Sequence, residues 1–130
     1  MIVNIRKKRV YDPLSDEDGV RVLVDRVWPR GMSKERLKAD YWLKDAAPST
    51  NLRKWFGHDP SKWEEFKSRY VKELEEKREI IDFILNMAAK GPITLLFSAR
   101  DAEHNHAVAL KDYILSVARR SGNHGAKRQS

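Results

Sequence analysis

Two short apolar runs, Val20-Arg21-Val22-Leu23-Val24 and Ile93-Thr94-Leu95-Leu96-Phe97, decide the fold class of this 130-residue chain. Both runs are rich in β-branched residues and nearly continuous in apolar character, as strands buried on both faces are. Long segments with helical patterning separate them, and parallel strands need such a crossover whereas antiparallel strands need only a hairpin. The sequence therefore predicts an α/β fold, with a small and mostly parallel sheet flanked by helices.

The remaining elements are arranged around these two strands. Val3 and Ile5 alternate with polar residues and predict another short strand. Ser33 is placed to cap a short helix over residues 34–38, whereas residues 39–46 suit either a strand or a helical turn. Further helical patterns cover residues 51–56, residues 60–90 as one bent helix or two, and the segment after the turn at residues 98–101.

Length and composition indicate one globular domain. A single core normally serves about 100 to 200 residues, and the chain has no cysteine, so disulfides, thiolate nucleophiles and zinc–cysteine sites are excluded. The first nine residues run from apolar to basic, the reverse of a secretory signal, and no apolar stretch approaches the roughly 18 residues of a membrane span. We therefore expect a cytoplasmic protein without a membrane partner.

The positive charge is concentrated at the two ends of the chain. The formal net charge is +7, from 26 lysines and arginines against 19 acids. Residues 1–9 and 119–130 hold four bases each and no acid, which leaves 18 bases against 19 acids in residues 10–118. We expect a single α/β domain over residues 1–118, followed by a disordered basic tail over residues 119–130.

Ligands of open parallel sheets bind beyond the carboxyl ends of the strands. The first such end is Asp25-Arg26-Val27-Trp28-Pro29-Arg30-Gly31, where the two arginines suit bidentate contact with an anion and Trp28 can stack on a ring. The alternative is that Arg26 and Arg30 pair with local acids such as Asp25 while Trp28 packs.

The second strand end is Ser98-Ala99-Arg100-Asp101-Ala102-Glu103-His104-Asn105-His106. A helix that starts here attracts anions, and the expected binding side chains are Ser98, Arg100, Asn105 and His106, with Asp101 and His104 as candidate catalytic residues. The alternative is that Asp101 or Ser98 only caps the helix and that His106 lies in the core. On a helix, His104 and His106 lie about 200° apart, so no metal site is expected.

The third candidate segment is Lys54-Trp55-Phe56-Gly57-His58-Asp59-Pro60. Capping explains Asp59, packing explains Trp55, which is also a candidate for stacking on a ligand ring, and His58 is left as a candidate proton carrier. His58 in a solvated loop is the alternative. The chain lacks the GxSxG, GxxxxGK[ST] and GxGxxG patterns, which argues against the commonest hydrolase, nucleoside triphosphatase and dinucleotide-binding folds, and no cofactor is predicted.

Several of these motifs, in this order, resemble those of the YeaO-like proteins, the family of domain of unknown function 488. The resemblance spans residues 9–115 and is carried by residues 9–12, 19–31, 47–49, 52–60 and 95–107. It implies a small cytoplasmic α/β domain of bacterial or archaeal type, and it transfers no catalytic residue. Val27 stands where the family more often has leucine, which is a conservative difference.

The sequence thus favours binding of a small anionic ligand, phosphate- or nucleotide-like. An enzyme of this kind is expected to be a hydrolase or transferase that needs no metal. The alternative is a nucleic-acid-binding accessory protein that uses its basic termini and the same arginines on phosphates.

Overall fold

Four parallel strands form one sheet in the computed structural model, which describes the backbone of residues 3–129 and the side chains of residues 3–120. The strands are β1 (Ile5–Arg9), β2 (Val20–Leu23), β3 (Tyr41–Trp42) and β4 (Ile93–Phe97), in the order β1-β4-β2-β3. Every pairing is parallel, with Ile93 opposite both Ile5 and Val20. The predicted α/β class is confirmed, and the two runs that predicted it are the two central strands.

In the part of the chain that the structure describes, five α-helices connect and cover the strands: α1 (Lys34–Leu37), α2 (Thr50–Phe56), α3 (Trp63–Glu75), α4 (Arg78–Lys90) and α5 (His106–Gln129). Residues 39–46 were compatible with either a strand or a helical turn, and they contain both: strand β3, followed by a 3-10 turn over Lys44–Ala46. The pattern over residues 60–90 resolves into two helices rather than one. Within the residues described, no helix has the length and apolar character of a membrane span.

Most of the predicted tail, residues 119–130, lies outside the residues whose side chains the structure describes. Its disorder stays a prediction. At the other end, the four bases of residues 6–9 belong to β1 and contact the domain: Arg6 pairs with Glu17, Lys7 and Arg9 donate to the carbonyls of Ala102 and Ala99, and Lys8 pairs with Asp18. This basic run is therefore an edge strand of the sheet.

The two faces of the sheet are covered unequally. One face presents side chains such as Val22, Val24 and Leu95 to helices α2–α5, and this layer forms the larger core. The opposite face presents Leu23 and Leu96 to a smaller cluster under α1 and the loop that follows β2. The alternation follows from the period of two in a strand, and it makes both central strands apolar on both sides.

A buried ion cluster supports the smaller layer. Arg21 lies inside β2 with 6% exposure; its guanidinium contacts Asp18 Oδ2 and donates two hydrogen bonds to the Leu37 carbonyl. Burial on its own raises the pKa of the Asp18 carboxyl, but hydrogen bonds from Lys8, Ser15 and Arg21 outweigh it and hold that pKa below 3.8. The charged residue in an otherwise apolar strand is thereby paired.

Candidate functional site

The carboxyl ends of the two central strands are joined by Asp25 and Ser98. Asp25 follows β2 and is 7% exposed, and its Oδ2 accepts hydrogen bonds from the Ser98 amide at 3.0 Å and the Ser98 hydroxyl at 2.6 Å. Because parallel strands end at the same edge, residues 73 positions apart meet here. The two segments predicted to carry function are therefore adjacent.

The other oxygen of Asp25 faces a histidine. His106 Nε2 lies 3.1 Å from Asp25 Oδ1 and 3.0 Å from the Val24 carbonyl oxygen. The geometry directs the ring N–H at the carbonyl, so Asp25 Oδ1 is buried without a hydrogen-bond donor. A buried acceptor without a donor is costly, which marks this position as one to explain by function.

A cleft of about 770 Å³ opens beside this junction, within the size range of small-molecule sites. Its walls come from the ends of β2 and β4, from Ala47 and Pro48, from α2 with the turn after it, and from the first residue of α5. Its charged and titratable lining side chains are Asp25, Arg26, Arg53, Lys54, His58, Arg100, Asp101, His104 and His106.

The four cations of the lining differ in how they are used. Arg26 donates to the carbonyls of Ala47 and Pro48 at 3.2 to 3.3 Å, so it holds the opposite wall rather than a local acid. Arg53, Lys54 and Arg100 are exposed and make no side-chain hydrogen bond or ion pair with any described residue. Three cations thus face the cleft without a partner in this part of the chain.

Side chains of helix α3 and of the residue before α4 hold the wall at Ala47 and Pro48 through hydrogen bonds to its backbone carbonyls. The buried Tyr70 hydroxyl donates to the Ala46 carbonyl, and Lys77 donates to the carbonyls of Asp45 and Ala47. Desolvation lowers the pKa of Lys77 and raises the pKa of Tyr70, because burial disfavours the charged form of each group. This wall of the cleft is therefore rigid.

Asp101 and His104 form a pair at the far side of the cleft. Asp101 Oδ1 accepts from the amides of Glu103 and His104, and its Oδ2 lies 2.9 Å from His104 Nδ1. These backbone hydrogen bonds, together with the contact to the His104 ring, lower the pKa of the Asp101 carboxyl. The pair has the geometry of a carboxylate that orients an imidazole.

Neither Asp101 nor Ser98 is the cap of the last helix, because that helix starts several residues after them. Helix α5 begins at His106, and its cap is the buried Asn105, whose Oδ1 accepts from the Val108 amide and whose Nδ2 donates to the Asp101 carbonyl. Asp101 and Ser98 therefore do not cap α5. His106 is half-buried and lines the cleft, so it is not enclosed in the core.

His58 lies at the rim of the cleft in an unusual backbone conformation. It follows Gly57, and both residues have positive φ, 54° for Gly57 and 57° for His58. A bulky side chain pays a conformational cost in this left-handed region, and such positions cluster at functional sites. The His58 side chain is exposed.

Three of the residues predicted to bind a ligand lie outside the cleft lining: Trp28, Arg30 and Trp55. Trp28 packs edge-on against Trp42 and donates to the Met32 carbonyl. Trp55 lies under Arg69 and Lys62, whose cationic groups are 4.4 and 5.2 Å from its ring centre. The other eight predicted residues line one cleft, Arg26 and Arg100 among them.

Sequence patterns do not predict three charged residues of this lining. They suggest Asp25 only as a partner for arginine, and neither Arg53 nor Lys54 belongs to a predicted site. The position of Asp25 directly after a buried strand was a usable signal, whereas Arg53 and Lys54 look like ordinary solvated residues of a short helix. No three histidine or carboxylate side chains within the described residues are grouped as metal ligands are.

Together, the all-parallel sheet and the cleft across its carboxyl edge define a small α/β domain whose candidate site lies where parallel sheets commonly carry one. The chain belongs to the family described as "Inactive DUF488-N3 subclade", which it matches over residues 4–130. It is similar to the uncharacterized protein YeaO of Escherichia coli K12, with 43% identity over 88% of this chain and 100% of YeaO. It is also similar to the uncharacterized protein Rv3073c of Mycobacterium tuberculosis H37Rv, with 37% identity over 85% of this chain and 92% of that relative. No solved structure matches the chain.

Proposed function

We propose that this domain binds a small anionic, phosphate-bearing ligand in the cleft between the carboxyl ends of β2 and β4. One observation carries the proposal: Arg53, Lys54 and Arg100 line the same cleft and have no partner among the described residues. Surface cations are usually solvated, but three that converge on one concave site raise the local concentration of an anion.

The surroundings of these cations favour the same ligand class. The lining holds four cations against two carboxylates, and Asp25 and Asp101 both accept hydrogen bonds from the protein. Helix α5 begins at His106 in the wall of the cleft, so the positive end of its dipole adds to the field. Val27 also lines the cleft, and its exposed side chain offers apolar contact to the uncharged part of a ligand.

Binding without turnover is the favoured form of this function. The word "inactive" in the description of the family supports it. Ser98 is the one residue of the lining with an aliphatic hydroxyl, and that hydroxyl donates to Asp25 Oδ2. Should the domain act as an enzyme, His104 with Asp101 is the best placed proton carrier, and the reaction is hydrolysis or group transfer without a metal.

The test is ligand-induced stabilisation, measured by thermal shift and titration calorimetry with inorganic phosphate, adenosine 5′-monophosphate and citrate. We expect at least one phosphate compound to raise the melting temperature of the native protein, since a ligand that binds only the folded state stabilises it. The double variant Arg53→Ala/Arg100→Ala removes two unpartnered cations and should lose the response. Arg30→Ala is the matched control, because Arg30 is an exposed arginine outside the lining.

Two results would contradict the proposal: no response of the native protein to any of these compounds, or equal responses from the native protein and the double variant. Release of phosphate from the monophosphate would contradict binding without turnover and leave the binding site in place.

A further inference from the structure

Two histidines of the cleft are each backed by a carboxylate. Asp101 Oδ2 lies 2.9 Å from His104 Nδ1, and Asp25 Oδ1 lies 3.1 Å from His106 Nε2. An ionised carboxylate and a backbone carbonyl can only accept, so His104 carries its hydrogen on Nδ1, and His106, facing the Val24 carbonyl, carries its hydrogen on Nε2. The remaining ring nitrogens are His104 Nε2 and His106 Nδ1.

These two remaining nitrogens are open to the cleft. Within the side chains that the structure describes, Asp25 Oδ1 is the one polar atom that is both buried and without a hydrogen-bond partner. His104 Nε2 and His106 Nδ1 have no partner among these residues either, so both are accessible, and both rings line the cleft. Each ring thus contributes one unpaired and accessible nitrogen to the lining.

We propose that His104 and His106 bind the anionic group of the ligand as imidazolium ions, and that this group is a phosphate monoester or a similar tetrahedral dianion. The inference rests on the proposed function of the cleft. Protonation makes each open nitrogen an N–H donor toward the anion while the opposite N–H keeps its present partner. It also places a positive charge 3.1 Å from Asp25 Oδ1, the buried oxygen that lacks a donor.

Charged groups from several elements surround the two rings. Asp25 and Arg26 approach from the end of β2, Arg53 and Lys54 from α2, and Arg100 and Asp101 from the loop after β4; on the α3 side, Trp63 stands edge-on to His104, with Lys67 above its ring. His58 also lines the cleft, and it has no carboxylate partner among the described residues. His104 and His106 each contact a carboxylate, at 2.9 and 3.1 Å.

Sulfate is a suitable probe, because its charge stays constant near neutrality. Imidazole is the side chain whose charge changes between about pH 5 and pH 8, whereas the charge of sulfate does not change in that range. We therefore expect calorimetric titration of the full chain to show sulfate affinity falling by at least about tenfold between these pH values. The variant His104→Gln/His106→Gln should bind sulfate weakly and with less than about twofold dependence on pH. Arg30→Gln is the matched control, since Arg30 is exposed and lies outside the lining, and it should keep the native pH dependence.

A second measurement does not depend on the variants folding. The ¹⁵N chemical shifts of the ring nitrogens, followed in the native protein near pH 7.5, should show His104 and His106 taking up protons as sulfate is added. Equally strong sulfate binding at both pH values would overturn this inference but not the proposed anion site. Histidine rings that stay neutral in the sulfate complex would have the same consequence. Acetate binding as tightly as sulfate would overturn the assignment to a tetrahedral dianion. No binding of sulfate or phosphate at either pH would overturn both the inference and the proposed function.

Discussion

Ser98 donates two hydrogen bonds to a single oxygen of Asp25, one from its amide and one from its hydroxyl, and so joins the ends of the two central strands. Asp25 is 7% exposed, and its second oxygen has no hydrogen-bond donor. The hydrogen bonds that stabilise the Asp25 carboxylate thus all go to Oδ2. This arrangement makes the junction both a structural joint and the floor of the candidate site.

The Ser98 hydroxyl should contribute measurably to stability. Ser98→Ala removes the hydrogen bond of 2.6 Å to Asp25 and leaves that oxygen with the amide alone, so we expect a loss of about 1–3 kcal/mol in the free energy of unfolding. Urea denaturation followed by circular dichroism measures it. Ser116→Ala is the control, because the Ser116 hydroxyl bonds only to the Tyr113 carbonyl three residues earlier in the same helix. Equal losses in the two variants would contradict the account.

Gly19 should be irreplaceable for two separable reasons. Its φ is +63°, and a Cβ at this position would lie 2.0 Å from the Pro92 carbonyl oxygen, which accepts from the Val20 amide. Gly31 has a similar φ of +69° but open space around it. We expect Gly31→Ala to cost about 1 kcal/mol in unfolding free energy and Gly19→Ala clearly more, in the range of about 2–4 kcal/mol. Matching urea curves for the two variants would show that the close approach to Pro92 is unimportant.

Acid should release the stabilisation that Asp18 supplies. Its folded-state pKa lies below 3.8, because hydrogen bonds from Lys8, Ser15 and Arg21 outweigh the opposing effect of burial. A lowered pKa means that the carboxylate stabilises the fold fully above the unfolded-state pKa and loses this effect as pH falls through the folded-state value. We expect the unfolding free energy of the native protein to drop steeply below about pH 4.

Two aspartate variants test that assignment. Asp18→Asn should be less stable at neutral pH, because the buried Arg21 loses its charged partner, and its stability should change less below about pH 4. Asp112→Asn replaces an exposed carboxylate and should keep the native acid profile. A profile for Asp18→Asn as steep as the native one would show that other groups dominate acid unfolding.

Removing the basic tail should separate the two functional hypotheses. A chain truncated after Ala118 should bind inorganic phosphate as the full chain does, because the cleft lies at the other end of α5. Binding to nucleic acid through backbone phosphates would weaken on truncation and fall steeply with rising salt. Fluorescence anisotropy with a short duplex, measured at low and moderate salt, makes the comparison. Tight duplex binding that truncation abolishes would favour the nucleic-acid alternative.

Sequence patterns were sufficient for the α/β class, for the two central strands and for the meeting of their carboxyl ends. The two apolar runs ending at Val24 and Phe97 carry the signature of buried parallel strands, and the carboxyl-edge rule then places Asp25 and Ser98 together. Cap residues such as Ser33 and Gly57 also acted as expected, since Ser33 accepts from the Arg36 amide and Gly57 ends α2 in the left-handed region. These features depend on local chemistry, which a sequence displays directly.

Other features depend on tertiary contacts that no local pattern shows. The start of α5 at His106 follows from Asn105 acting as its cap, although Asp101 offers an equally good capping side chain. Arg26 bonds to carbonyls 21 and 22 residues away, and the side-chain directions of Trp28 and Arg30 depend on how the loop after β2 folds over the smaller core. Long-range packing decides such choices, so the sequence left them open.

The central claim is that one cleft, at the carboxyl edge of the sheet, binds anions. Chemical-shift mapping of the ¹⁵N-labelled protein during titration with inorganic phosphate tests it most directly. We expect saturable shifts in the amides of residues 53–58 and 98–106, with little change around Asp18 and Arg21. Shifts confined to residues 119–130, or none that saturate, would contradict it.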